Sequence, residues 1–123
     1  MKVAIVDLVR VLDESKEGLA GAKRLEGLFE EQQRELAPLI QQVKTKRDPK
    51  IEKQLETRAR EHEQDREKMR VDLRNSLLAR AQAAVGRMAT EHSVDFVLGK
   101  PQAMLWAKPE LDLTTAVLNA LDA

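Results

Sequence analysis

Between Lys50 and Val85 the chain contains neither glycine nor proline. So long a run without a breaker commits the segment to one helix, about 60 Å long if it continues to His92. The run opens on Asp48-Pro49. Aspartate suits the N-cap and proline the first helical position, where its missing N–H costs nothing, so the helix is expected to start at Pro49. From Thr57 to Lys68 it has no large aliphatic residue. A helix polar all round frays unless charge pairs and a partner helix hold it. Apolar positions return at Met69, Leu73, Leu77, Ala81, Ala84, Val85 and Met88, which predicts a firm base and a mobile far end.

The partner lies upstream. Ala22, Leu25, Phe29, Gln32, Leu36, Leu39 and Val43 alternate by three and four, a heptad seam with one polar lapse at Gln32. Pro38 inside this pattern removes one backbone hydrogen bond, so a bend is expected near Leu36–Pro38 and Pro38 is the candidate hinge. Residues 16–92 therefore read as a coiled-coil helical hairpin with its tip near 46–48. Residues 1–15 and 93–123 read as a small β-rich body that joins its two ends, and the fold class is α+β.

In the body, Lys2–Leu8 is a β-branched run expected to form a strand. Leu8, Val11 and Leu12 suit a short helical turn, and Ser15 suits the N-cap of the outgoing helix. After the arm, Val94–Leu98 is an expected strand, Gly99–Gln102 a turn and Ala103–Ala107 a second strand, together a β-hairpin. A last amphipathic helix carries Ala116, Val117, Leu118 and Leu121, with Asp112 or Thr114 as its cap. Three short strands and about fifty residues make a marginal core with open sheet edges. A closed oligomer that shares its sheets answers both weaknesses.

Charge narrows the function classes. The chain holds 21 basic and 21 acidic residues, yet residues 16–91 carry a net +3 and the remainder a net −3. The tip concentrates five cations, Lys44, Lys46, Arg47, Lys50 and Lys53, against two acids. That is a weak steering field, and with aromatics at 2% it lacks a nucleic-acid binder's stacking platforms. Cysteine is absent, which excludes disulfides and zinc–thiolate sites. The apolar run Val3–Val6 is too short for a secretion signal, which leaves the compartment open between the cytosol and a processed secreted form.

No constellation for catalysis emerges: there is no phosphate loop, no nucleophile motif and no metal-ligand spacing, so no enzyme and no cofactor are expected. His62, in the polar run, is expected at the surface, and His92 closes a helix where an imidazole suits the dipole. Asp7, Asp13 and Asp112 are more simply caps and turns than a metal site. Trp106 is expected in a core or an interface.

Both ends carry a resemblance. The opening KVAIVDLVRVLDES and the closing VDFVLGKPQAMLWAKPELDLTTAVLNAL, roughly forty residues together, resemble the ends of the Skp/OmpH-like family of periplasmic chaperones. The closing segment includes that family's D-hydrophobic-T pattern at Asp112-Leu113-Thr114. The arm is similar in kind only. The resemblance implies a homotrimer with a central β body and three arms around a cavity. It also implies a periplasmic location and ATP-independent holding of unfolded outer-membrane proteins. The candidate client-binding inner face is Leu28, Phe29, Leu36, Leu39, Ile40, Val43, Ile51, Leu55 and Met69. Of these, Leu28 and Ile40 fall beside the seam and are the better candidates. The membrane surface is a further contact expected of the basic tips; nucleic acid is not. The competing reading is a coiled-coil adaptor or structural protein with one specific partner.

Overall fold

The computed structural model describes residues 1–100 and 104–123. Its elements are β1 (Val3–Val6), α1 (Leu8–Glu14), α2 (Lys16–Thr45), α3 (Pro49–Glu91), β2 (Phe96–Gly99), a 3-10 turn (Pro109–Leu111) and α4 (Thr114–Asp122). They divide into two compact units, Gly21–Leu73 and a second made of Met1–Ala20 with Arg74–Ala123. The fold is α+β with a helical hairpin.

The unit Gly21–Leu73 is the greater part of that hairpin. Its turn lies between Thr45 and Pro49. Asp48 Oδ1 accepts from the Lys50 N–H at 2.9 Å, so the Asp-Pro pair starts α3 as its chemistry dictates. Helical conformation continues through Pro38 to Thr45.

In the other unit, β1 and β2 pair in parallel, with Val3 opposite Phe96 and Val6 opposite Gly99. The expected β-hairpin does not form: Met104–Ala107 has no strand conformation, and part of the expected turn and second strand lies outside the described residues. The reason is connectivity. β2 follows a helical crossover, which favours parallel pairing with β1, and the Lys100 N–H extends that ladder to the Val6 carbonyl at 2.9 Å. On the other side of β1, Ile5 bridges to Asp112, so the residue just after the 3-10 turn takes the place of a third strand.

The core of this unit comprises Ala4, Val6, Val11, Leu77, Ala81, Ala84, Leu113, Val117 and Leu121. Small residues at 81 and 84, each 0% exposed, bring the α3 backbone close to its neighbours. Helix starts are tied in by side chains. Ser15 Oγ accepts from the Gly18 N–H at 3.0 Å, and Asp122 Oδ1 at the end of α4 accepts from the Lys16 N–H at 3.0 Å. At the far end of α3, the Ser93 N–H bonds the Thr90 carbonyl and the Val94 N–H the Ala89 carbonyl, while Ser93 takes φ 56°. This is a Schellman stop with serine where glycine is usual.

The Asp112–Thr114 pair knits the unit together. The Thr114 hydroxyl accepts from the Asp7 N–H at 2.9 Å and donates to Asp112 Oδ1. That carboxylate also accepts from the Thr114 N–H at 2.9 Å. The N-cap position of α4 is Leu113, neither of the expected caps Asp112 and Thr114, and Asp112 acts from one residue ahead of it. Partial burial raises the Asp112 pKa. The Thr114 hydrogen bonds and the Lys100 and Arg10 charges outweigh that and hold it below its ordinary value of 3.8.

Thr114→Val keeps the shape but leaves the partly buried Asp7 N–H without an acceptor and removes a donor to Asp112. It is expected to cost about 1.5 kcal/mol in urea unfolding at pH 7. A depressed carboxylate pKa stabilises the fold above the unfolded value, and this contribution is lost as pH falls through the folded value. The difference between the variant and the natural protein should therefore shrink below about pH 4. A difference independent of pH down to about 2 would contradict the assigned network.

Candidate functional site

The seam of the hairpin sets which side chains remain available. Gly21 is buried against Leu73, while Ala22 is exposed, so the base of the seam is one residue out of the expected phase. Consequently Leu28 turns partly inward, and Phe29 turns outward, 45% exposed beneath the Arg66 guanidinium, whose carbon lies 5.4 Å from the ring centroid. Leu36, Leu39, Ile40 and Val43 on α2, and Ile51, Leu55 and Met69 on α3, are all half-buried. The two-helix seam thus covers one side of each of these residues and leaves the other to solvent. In the described part of Gly21–Leu73 only Gly21, Gln32 and His62 are buried.

The last two form a polar layer, which corrects the expectation of a surface His62. His62 is 5% exposed, and its Nε2 lies 3.2 Å from Glu35 Oε2. Gln32 Nε2 donates to the His62 carbonyl at 3.1 Å, and Gln32 Oε1 accepts from Arg66 at 2.7 Å. Arg58 pairs with Glu35 and, one turn along its own helix, with Glu61. Residues 58, 62 and 66 share one face of α3. Glu35 engages the first two and Gln32 the last two. The stretch without aliphatic residues is therefore held across the seam by polar contacts, with His62 Nδ1 buried and unpartnered.

The described tip carries two shallow grooves. One, of about 610 Å³, is lined by Leu39, Lys50, Lys53, Gln54, Thr57 and Arg58. The other, of about 630 Å³, is lined by Pro38, Gln41, Gln42, Thr45, Lys46, Asp48 and Ile51. The structure thus brings Leu39 together with Lys50 and Lys53, and Pro38 and Ile51 with Lys46. Lys44 is exposed and lines neither groove, and Arg47 bonds Glu52 at 3.0 Å.

The second unit exposes apolar surface of its own. Phe96 (40%) and Leu98 (50%) project from β2, and Leu105 (99%) and Trp106 (76%) follow it. Trp106 is outside the core of the single chain. β1 is the only strand paired with β2 among the described residues. Asp7 caps α1 by accepting from the Arg10 N–H at 3.2 Å, and no cluster of metal-binding side chains occurs among the described residues. No described helix is long and apolar enough to cross a membrane.

Comparison with known proteins decides the family. The profile of the OmpH-like outer membrane proteins matches residues 2–121. The chain belongs to the OmpH-like family. It is also similar to the chaperone protein Skp of Yersinia enterocolitica, 32% identical over 139 aligned positions that cover 96% of this chain and 84% of that one. In this OmpH-like chain the helical hairpin and the D-hydrophobic-T tie described above both lie inside the matched region.

Proposed function

We propose that this protein is a periplasmic holding chaperone that binds unfolded outer-membrane proteins between helical arms and prevents their aggregation without ATP. The observation that carries the reading is the family match over nearly the whole chain, together with similarity to a chaperone. The surface supports it physically. A holding chaperone must bind many sequences weakly, and scattered half-exposed apolar side chains between charges do this better than a closed pocket. Leu28, Phe29, Leu36, Leu39, Ile40, Val43, Ile51, Leu55 and Met69 are the proposed client contacts. Pro38 is the proposed hinge, and Lys44, Lys46, Arg47, Lys50 and Lys53 steer clients or touch the membrane surface.

The working form is a homotrimer, in which Phe96, Leu98, Leu105 and Trp106 are covered by neighbouring copies. Solvent-exposed apolar surface of this kind, beside a strand edge unpaired among the described residues, favours association.

The test is dilution of a urea-unfolded outer-membrane β-barrel protein into buffer, with and without this protein. Turbidity should be suppressed to the same degree whether or not ATP is added. Unchanged aggregation contradicts the reading.

A further inference from the structure

We propose that the groove along the first turns of α3 receives extended client segments in which carboxylates alternate with apolar residues. The proposal rests on the chaperone reading above. Lys50, Lys53, Gln54, Thr57 and Arg58 are spaced i, i+3, i+4, i+7 and i+8, so they form one face of α3, and Leu39 of α2 supplies an apolar wall.

The charges of this face differ in how far they are already satisfied. Arg58 is engaged by Glu35 and Glu61, and nearby Arg47, outside the groove, by Glu52. Lys50 and Lys53 are exposed and have no carboxylate partner among the described residues. Two uncompensated ammonium groups therefore stand beside an apolar wall. The other tip groove differs, because Asp48 lines it together with Lys46. Charge complementarity thus favours an acidic ligand on the α3 face specifically.

The dimensions fit an unfolded chain. From Lys50 to Arg58 the face is about 12 Å long at 1.5 Å per residue. An extended segment covers that length with about four residues, whose side chains alternate between two directions. Acidic and apolar residues in alternation therefore offer carboxylates to the lysines and an aliphatic group to Leu39. A basic segment meets repulsion, and a polar acidic one gains nothing from the apolar wall.

The experiment measures fluorescence anisotropy of three labelled nonapeptides with the full chain: alternating Leu/Asp, alternating Leu/Lys and alternating Ser/Asp. They are compared on the natural protein and on Lys50→Glu/Lys53→Glu. Glutamate in the first turns of a helix is favoured by the dipole, and circular dichroism verifies that the hairpin persists.

The natural protein should prefer Leu/Asp. Charge reversal should weaken that peptide at least tenfold, about 1.4 kcal/mol, and tighten Leu/Lys. A change within twofold overturns the proposal, as does equal binding of Ser/Asp and Leu/Asp. Loss of binding to phosphatidylglycerol vesicles with peptide binding unchanged also overturns it, in favour of lipid headgroups. The two levels fail separately. If the chaperone reading is wrong, the natural protein leaves barrel aggregation unchanged. If only the groove assignment is wrong, both proteins hold the barrel while the peptide contrast vanishes.

Discussion

Gly18→Ala is expected to destabilise the protein by about 3 kcal/mol, at the upper end of what overpacking costs. Gly18 lies in the first turn of α2, where α1 has just ended. A Cβ there would stand 1.8 Å from the Leu12 carbonyl oxygen and 3.0 Å from Ser15 Oγ. The first neighbour is backbone, which cannot rotate away. Relief requires α1 and α2 to part, which strains the Ser15 cap and the Asp122 contact with the Lys16 N–H. Helix propensity works the other way, since alanine is favoured over glycine by about 1 kcal/mol in a helix interior, so the clash must exceed that gain. Urea unfolding at fixed protein concentration measures it. A Gly18→Ala protein as stable as the natural one would refute the close approach of the two helices.

The second large effect concerns the polar layer. Gln32→Leu is expected to cost about 2 kcal/mol, because Arg66 loses its acceptor inside a partly covered seam while its charge remains. The double variant Gln32→Leu/Arg66→Met should recover most of this loss, since it replaces both partners with apolar groups of similar length. The diagnostic quantity is the coupling in the double-mutant cycle, about 1–2 kcal/mol. Additive losses would mean that the Gln32–Arg66 contact contributes nothing. The same pair bears on Phe29, whose ring lies under the Arg66 guanidinium. Arg66→Met should therefore leave the Phe29 ring freer and more exposed.

Much of this was legible in the residues. Asp48-Pro49 identified the hairpin turn, and the glycine- and proline-free run identified α3, because these features act through local sterics and hydrogen bonding. The Asp112-Leu113-Thr114 pattern pointed to the right segment, although its role as a tie to Asp7 depends on a contact between chain ends.

What escaped were pairings across the hairpin. Gln32 was visible as a polar lapse and His62 as a histidine in a charged run, each read alone. Both lie 15 residues from Arg47, and Gly21 and Leu73 both lie 26 residues from it. Reflecting one helix onto the other through the tip matches these pairs and would have placed His62 in the seam. The phase error at Ala22 and Phe29 has the same origin. Heptad spacing ranked residues by apolarity, whereas the helices approach through Gly21, which carries no apolar side chain.

The expected β-hairpin failed for a topological reason. Val94–Leu98 and Ala103–Ala107 are both apolar runs flanking a Gly-Lys-Pro segment, so local chemistry favoured their pairing. β2 instead pairs in parallel with β1, a contact that joins residues more than ninety positions apart. The end of α3 near His92 was legible, but the left-handed turn at Ser93 that makes it was not, because a left-handed serine has no sequence mark comparable to glycine.

The central claim, that copies of this chain assemble to hold unfolded barrel proteins, is tested most directly by solution mass. Light scattering is measured on the protein alone and again after dilution of a urea-unfolded outer-membrane β-barrel protein into it. A chain of 13.9 kDa should appear at three times that mass, and then as a soluble complex heavier by the client. A monomer or dimer that leaves the barrel protein to aggregate would contradict the account and favour a coiled-coil adaptor with one dedicated partner.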